Sequence, residues 1–308
     1  MNKLYWQTHP GNMENVLKYN CCTLSDYNYL LKGLVLYDSL EKHTKEDFIL
    51  YYLCLDDKTF NTIIKLGLKY IIPINLKEIE YKNTELQNIK RQVSYQNYCF
   101  TLSSYFCYYL LDNCDKENIL YIDSDIIFYD SLTRIFDTVK NDNIGIIRHR
   151  HVPYGHWVGA YNVGIVYFSK EGLKCCEFWK NLMLNLNNEY AKEYGRVGDQ
   201  KYLELFEQKF NKVKIIDSEI HYGAPYNFLL YLYKDFTIDS KLIEWENKKD
   251  NLIFTHFIKF KPDFDNNEFQ ATETIQEEQK LFKISQIKEL YNEYFQLNKE
   301  CLKKYLTI

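Results

Sequence analysis

The sequence predicts an α/β chain in which a mixed, mostly parallel sheet is flanked by helices and followed by C-terminal helices. Short apolar runs recur along the chain, helical patterns lie between them, and the pattern changes after Pro262. In order, the runs are Tyr19 to Leu24, Phe48 to Leu55, Tyr70 to Pro73, Ile119 to Ile122, Ile144 to Ile147, Val163 to Phe168, Val213 to Ile216 and Leu252 to Phe257. Short continuous apolar runs suit strands buried on both faces. Helical patterns cover Tyr29 to Lys42, Lys58 to Leu66 and a long stretch from about Leu86 to Leu111. From Thr272 to Ile308 no strand-like run occurs, and Leu281, Ile284, Ile287, Leu290, Tyr291, Tyr294 and Phe295 stand at helical spacing. One or two helices packed on the domain are expected there. The predicted organisation is one domain over residues 1–262 and a helical extension over 263–308.

Composition narrows the function. At 308 residues, 46% hydrophobic and 26% charged, the chain can bury a substantial core and is not expected to be disordered. A net charge of −4 argues against a nucleic-acid partner. No two of the eleven glycines form G-x-G, and Gly159 and Gly164 are followed by Ile165, so the dinucleotide fingerprint and the Walker loop are both absent. The nine cysteines include no C-x-x-C and mostly fall in apolar runs, where Cys acts as a small hydrophobe. No apolar stretch is long enough to span a membrane, and Met1 to Asn20 lacks the apolar core of a signal peptide. A reduced, cytoplasmic location is expected. The C-terminal segment holds six Lys and six Glu, no basic excess for anionic lipid, so membrane contact is at most peripheral.

The most informative stretch is Ile119-Leu-Tyr-Ile-Asp123-Ser124-Asp125-Ile-Ile-Phe128. Asp is depleted in strands and costly to bury unpaired, so two carboxylates in an apolar frame point to a shared cation. Mg²⁺ or Mn²⁺, held by carboxylates together with substrate phosphates, suits such a site. The competing reading is a polar turn that ends a strand.

Tyr121-Ile-Asp123-Ser-Asp125 resembles the D-x-D motif of GT-A glycosyltransferases, and its companions resemble glycosyltransferase family 8 and related bacterial sugar transferases. The resemblance covers about Tyr19 to Pro262. Cys22-Thr-Leu-Ser-Asp26-Tyr-Asn28-Tyr29 is similar to the nucleotide loop, with Asp26 able to accept a uracil N–H and Tyr29 able to stack on the base. Lys90-Arg91, read as opening the long helix, stands where the family carries a basic residue for the donor, and Arg91 is the better phosphate or ribose partner. Tyr161-Asn162-Val-Gly164-Ile-Val-Tyr-Phe168 resembles the strand beneath the sugar pocket, where Gly164 permits close approach. Val197-Gly198-Asp199-Gln200 is similar to a G/N-D-Q motif beside the anomeric carbon, with a helix N-cap as the competing role of Asp199.

Phe254-Thr-His256-Phe-Ile-Lys259-Phe-Lys261-Pro262 looks like the closing motif, in which His is a third metal ligand and a Lys contacts the diphosphate. It departs from family 8 in two ways: Lys259 replaces a Gly, and the interval from His256 to Lys261 is one residue shorter. The segment Arg148 to Trp157 is placed as an acceptor-facing loop, with His151 and Trp157 as candidates. Tyr226 and Asn227 are candidates from an acceptor-side motif of the bacterial group.

The resemblance implies a metal-dependent hexosyltransferase that moves a sugar from a nucleotide-diphosphate donor, a UDP-sugar, to a hydroxyl of a glycan, lipid-linked or protein acceptor in surface-glycan synthesis, with retention. Metal ligation falls to Asp123, Asp125 and His256. Donor binding falls to Asp26, Tyr29, Arg91, Ser124, Gly164, Lys259 and Lys261, and catalysis to Asp199, Gln200 and Asn162. A nucleotidyltransferase, a sugar-nucleotide hydrolase and a non-catalytic sugar-nucleotide binding protein remain open as alternatives.

Overall fold

A computed structural model describes residues 19–150, 158–191, 199–231, 236–239, 241–245 and 248–307. In chain order the strands are β1 (Tyr19–Ser25), β2 (Phe48–Cys54), β3 (Ile71–Asn75), β4 (Asn118–Ile122), β5 (Ile126–Phe128), β6 (Ile144–Arg148), β7 (Tyr161–Ser169), β8 (Val213–Ile215), β9 (His221–Gly223), β10 (Phe236–Asp239), β11 (Leu242–Trp245), β12 (Lys248–His256), β13 (Lys261–Asp263) and β14 (Glu268–Gln270). The helices that matter below are α1 (Leu30–His43), α2 (Asp57–Leu66), α3 (Leu76–Glu80), α4 (Thr84–Gln92), α5 (Tyr95–Tyr108), α6 (Thr133–Val139) and α7 (Leu173–Leu184).

Seven strands form the central sheet in the order β3-β2-β1-β4-β7-β6-β8. The pairs from β3 to β4 are parallel, as is β6 with β8, whereas β7 runs antiparallel between β4 and β6. Seven of the eight predicted runs lie in this sheet. The eighth, β12, belongs to a second sheet with β10, β11 and β5, and it also pairs with β9. An apolar run announces burial on two faces but not which neighbours cover them, so the second sheet was not foreseen.

The apolar runs follow from two cores. Along β4, Leu120 and Ile122 pack with α1 and the C-terminal helices, and the alternate residues Ile119 and Tyr121 pack with α5 and α7. Along β2, Phe48, Leu50 and Tyr52 face the first core, and Ile49, Tyr51 and Leu53 face the second. Period-two alternation thus divides apolar side chains between two layers.

The stretch expected as one helix from Leu86 to Leu111 is instead α4 and α5, and Lys90 and Arg91 close the first helix rather than open a long one. Ser94 causes the restart, because its side chain accepts from the Asn97 N–H and caps α5. The C-terminal segment forms two helices, Ile275–Leu281 and Ser285–Cys301. The second buries Tyr291 and Tyr294, and the Tyr294 ring stacks on Phe257 at 3.9 Å and 8°. No helix among the described residues is long and apolar enough to cross a membrane.

Because Phe257 directly follows His256, this stack joins the C-terminal helix to the end of β12. Tyr294→Ala is expected to cost about 3–5 kcal/mol, the range for truncating a buried aromatic. Urea denaturation of the variant against the wild type measures it.

Candidate active site

Parallel pairing of β1 and β4 brings Asp26 and Asp123 out at the same edge of the sheet. After β4 the chain turns through Asp123, Ser124 and Asp125, with the Ile126 N–H donating to the Asp123 carbonyl at 3.2 Å. The Asp123 N–H donates to the Gly164 carbonyl of β7 at 2.9 Å. On the other side β5 pairs with β12, placing His256 opposite Ile126, and the Phe257 N–H donates to the Asp125 carbonyl at 2.9 Å. Backbone bonds from two sheets therefore hold the turn, and three side chains meet.

His256 Nε2 lies 3.0 Å from Asp125 Oδ1 and 3.6 Å from Asp123 Oδ2. One ligand atom from each residue lies within 4.8 Å of the others. Asp125 and His256 are buried, while about a third of the Asp123 side chain is exposed (32%), leaving the group open on one side. Lone pairs on Nε2 and on the carboxylates repel at such separations, so a proton or a cation belongs between them. Burial opposes charge on all three groups, but the neighbouring Asp125 and Asp123 carboxylates raise the His256 imidazole above its ordinary value. Despite its burial, Asp125 is held at about 2 by His256 and Lys32, while burial raises Asp123. Among the described residues, His256 Nδ1 has no hydrogen-bond partner. Two carboxylates and an imidazole nitrogen suit Mn²⁺ or Mg²⁺, with the exposed side left for oxygen ligands from a donor.

Gly164 permits close approach, but to His256 and Asn162. A Cβ there would lie 2.7 Å from His256 Nδ1 and 2.6 Å from Asn162 Oδ1. Asn162 itself is buried, and its amide is committed. Oδ1 accepts from the Gly164 N–H at 2.8 Å, while Nδ2 faces His149 Nε2 at 3.2 Å and Gln200 Oε1 at 3.4 Å. His149 Nδ1 faces the Gly159 carbonyl at 2.9 Å, so Nδ1 donates there and Nε2 accepts from Asn162. Asn162 thus ties the Gly164 backbone, His149 and Gln200 together.

Asp199 stands at the N-cap position of a short 3₁₀ turn, Gln200–Leu203, yet its side chain makes no capping bond. Its Oδ2 instead lies 2.7 Å from Ser103 Oγ on α5. Burial pushes its carboxyl up to about 7, which the Ser103 hydrogen bond opposes and the Asp123 charge reinforces. Ser103 Oγ is also 2.7 Å from the Phe100 carbonyl. A hydroxyl has one proton, so Ser103 shares its proton between the Asp199 carboxylate and the Phe100 carbonyl. The carboxylate of Asp123 accepts from Tyr121 OH at 2.8 Å, on the same face of β4.

In the first loop, Asp26 Oδ1 accepts from the Asn28 and Tyr29 N–H groups, and Oδ2 accepts from Tyr95 OH at 3.1 Å. Tyr29 is 48% exposed, far from the core position that its helical spacing allowed. Ser124 is buried within the acidic turn. Lys259 has a positive φ of 65°, the left-handed conformation that glycine adopts most readily and that fits the glycine expected there by resemblance. Its ammonium pairs with Glu273 at 2.8 Å, while Lys261 is exposed. Arg91 is exposed and hydrogen-bonded to Asn88 of its own helix at 2.6 Å.

Tyr226 sets its ring edge-on to His149 at 5.0 Å. Asn227 is fully buried, with its amide spent on the Ala224 N–H and the Tyr222 carbonyl, a turn-holding role. His151 and Trp157 lie outside the described residues. Four residues of the site were missed. Lys32, within an apolar helix, carried a local signal in its charge, whereas Ser103, Tyr95 and the ring of His149 reach the site only through packing.

No protein-family model matches the chain. The uncharacterized protein YfnD of Bacillus subtilis (strain 168) is 26% identical over 246 residues, covering 77% of this chain and 76% of YfnD. YfnF of the same bacterium is 27% identical over 205 residues, 62% of this chain and 66% of YfnF. The fold is similar to that of mouse xyloside xylosyltransferase 1 in its apo form, with a TM-score of 0.55, 14% identity, and coverage of 81% of this chain and 99% of the other. It is also similar to galactosyltransferase LgtC in complex with donor and acceptor sugar analogs, with a TM-score of 0.52, 15% identity, and coverage of 86% and 95%. The chain has the GT-A glycosyltransferase fold, as its sequence led one to expect.

Gly164→Ala is expected to push His256 off its position and weaken Mn²⁺ binding about 10-fold to 100-fold, the usual effect of disturbing a ligand's support. Calorimetric titration with Mn²⁺ measures it. Asp199 gives a pH signature. Its folded value near 7 lies above the ordinary carboxylate value, so between about pH 4 and 7 the folded chain retains a proton that the unfolded chain has lost. Stability from this group is full below about pH 4 and declines as pH rises to 7, by up to about 1.4 kcal/mol per unit. Asp199→Asn removes that slope, and paired melting curves in chelator across this window check it.

Proposed function

We propose that the protein is a metal-dependent glycosyltransferase that moves a sugar from a UDP-sugar to an acceptor hydroxyl with retention, in surface-glycan synthesis. The convergence of Asp123, Asp125 and His256 at one edge of a GT-A sheet carries this reading. A divalent ion held by these three residues would neutralise charge that develops on the departing diphosphate. Asp26 and Tyr29 hold the base, Asp26 through an oxygen free to accept a base N–H beside Tyr95, and Tyr29 through its exposed ring face. Lys261, with Lys259 once released from Glu273, supplies positive charge to the phosphates.

In this reading Asp199 and Gln200 meet the sugar, with the Gln200 amide oriented by Asn162. A carboxyl pushed up to about 7, which accepts from Ser103 when ionised, changes charge near neutrality with modest cost, which suits a group that meets developing positive charge at the anomeric carbon.

Asp125→Asn is expected to lower transfer by roughly 10²–10³-fold while the fold is kept, because the side chain serves the ion rather than a core. EDTA should stop the wild type and Mn²⁺ restore it. Release of UDP and of transferred sugar are followed together. Full transfer in chelator, or by the Asn variant, would sink the metal assignment, and sugar release without acceptor would identify a hydrolase instead.

A further inference from the structure

Beyond lowering Asp125, Lys32 has no part in the roles given so far. It interrupts the apolar run Leu30, Leu31, Gly33, Leu34 on α1, and its side chain is only 10% exposed. An ammonium that keeps only a small opening to water has three donors to satisfy. Among the described residues it makes no hydrogen bond. Asp125 Oδ2 stands 3.8 Å from Nζ, beyond hydrogen-bond reach, and the Tyr29 ring centroid stands at 4.4 Å. The nearby Lys261 works against its charge, and Lys259 is occupied by Glu273.

Its location matters as much as its burial. Lys32 touches both the ring that stacks on the base and the carboxylate that ligates the ion. A nucleoside diphosphate spanning those two points passes its phosphates between them. We propose that Lys32 is a donor-binding residue whose ammonium takes up the diphosphate, a role that rests on the donor reading above. When a divalent ion joins Asp125, ion and ammonium repel across the shared carboxylate. Asp123, Asp125, the ion and Lys32 then carry one net positive charge, and phosphate oxygens answer both the excess charge and the empty donors.

Calorimetry on the full chain at saturating Mn²⁺ compares uridine with uridine diphosphate for the wild type, Lys32→Met and Lys32→Arg. Methionine keeps the apolar stem, and melting temperatures confirm the fold. Lys32→Met should weaken uridine diphosphate at least tenfold and leave uridine within twofold, with Lys32→Arg recovering part of the loss. Equal losses for both ligands, or none for uridine diphosphate, would overturn the proposal. So would a change in Mn²⁺ affinity alone, which would make Lys32 a positioning residue for Asp125. If the wild type binds uridine but not uridine diphosphate, or neither, the donor reading itself fails, and this proposal with it.

Discussion

Two carboxylates one residue apart at a buried strand end repel one another and lose their hydration, and that cost organises the residues around them. Asp123 and Asp125 are met by His256, by the Tyr121 hydroxyl and by the Lys32 ammonium, each brought from a different element. Positive charge or donors placed against them are what allow the turn to remain folded. The same need makes the turn a place that a divalent ion would suit, since an ion would satisfy both carboxylates and the imidazole at once.

The three side chains of this cluster are held by distant parts of the chain. β12 delivers His256 by pairing with β5, and Phe257, the next residue, is clamped by Tyr294 of the C-terminal helix. That helix is tied to α1 where Asp38 accepts from Tyr305 OH at 2.6 Å and from Lys304. Since α1 also carries Lys32, the segment beyond Pro262 is coupled by packing to both sides of the acidic turn. The many aromatic rings act here as rigid walls, large in area and few in rotatable bonds.

Burial raises both Asp123 and Asp199, among different partners. Asp123 is partly open to water and receives Tyr121 and His256. Asp199 is sealed beneath α5 with one serine, and burial, reinforced by the like charge of Asp123, pushes its carboxyl up to about 7. The Gly164–Asn162–His149 chain of hydrogen bonds beside them fixes an amide whose two ends would otherwise be interchangeable.

What the sequence determined by itself was local. Apolar runs marked the strands because both faces of the sheet are covered, and the D-x-D stood out because carboxylates in such a run require a partner. Asp26, Asp199 and His256 were legible as polar residues at the ends of such runs or beside turns. The tertiary structure decided which of them meet. It assigned β12 to a second sheet, divided α4 from α5 at Ser94, and turned Asn162 and Asn227 inward to hold backbone. It also brought Ser103 to Asp199 and Lys32 to Asp125, contacts across 96 and more than ninety residues respectively. Pattern along a chain reports how each residue sits relative to its own strand or helix. Contact between elements depends on pairing and packing summed over the whole fold, and no local pattern carries that sum.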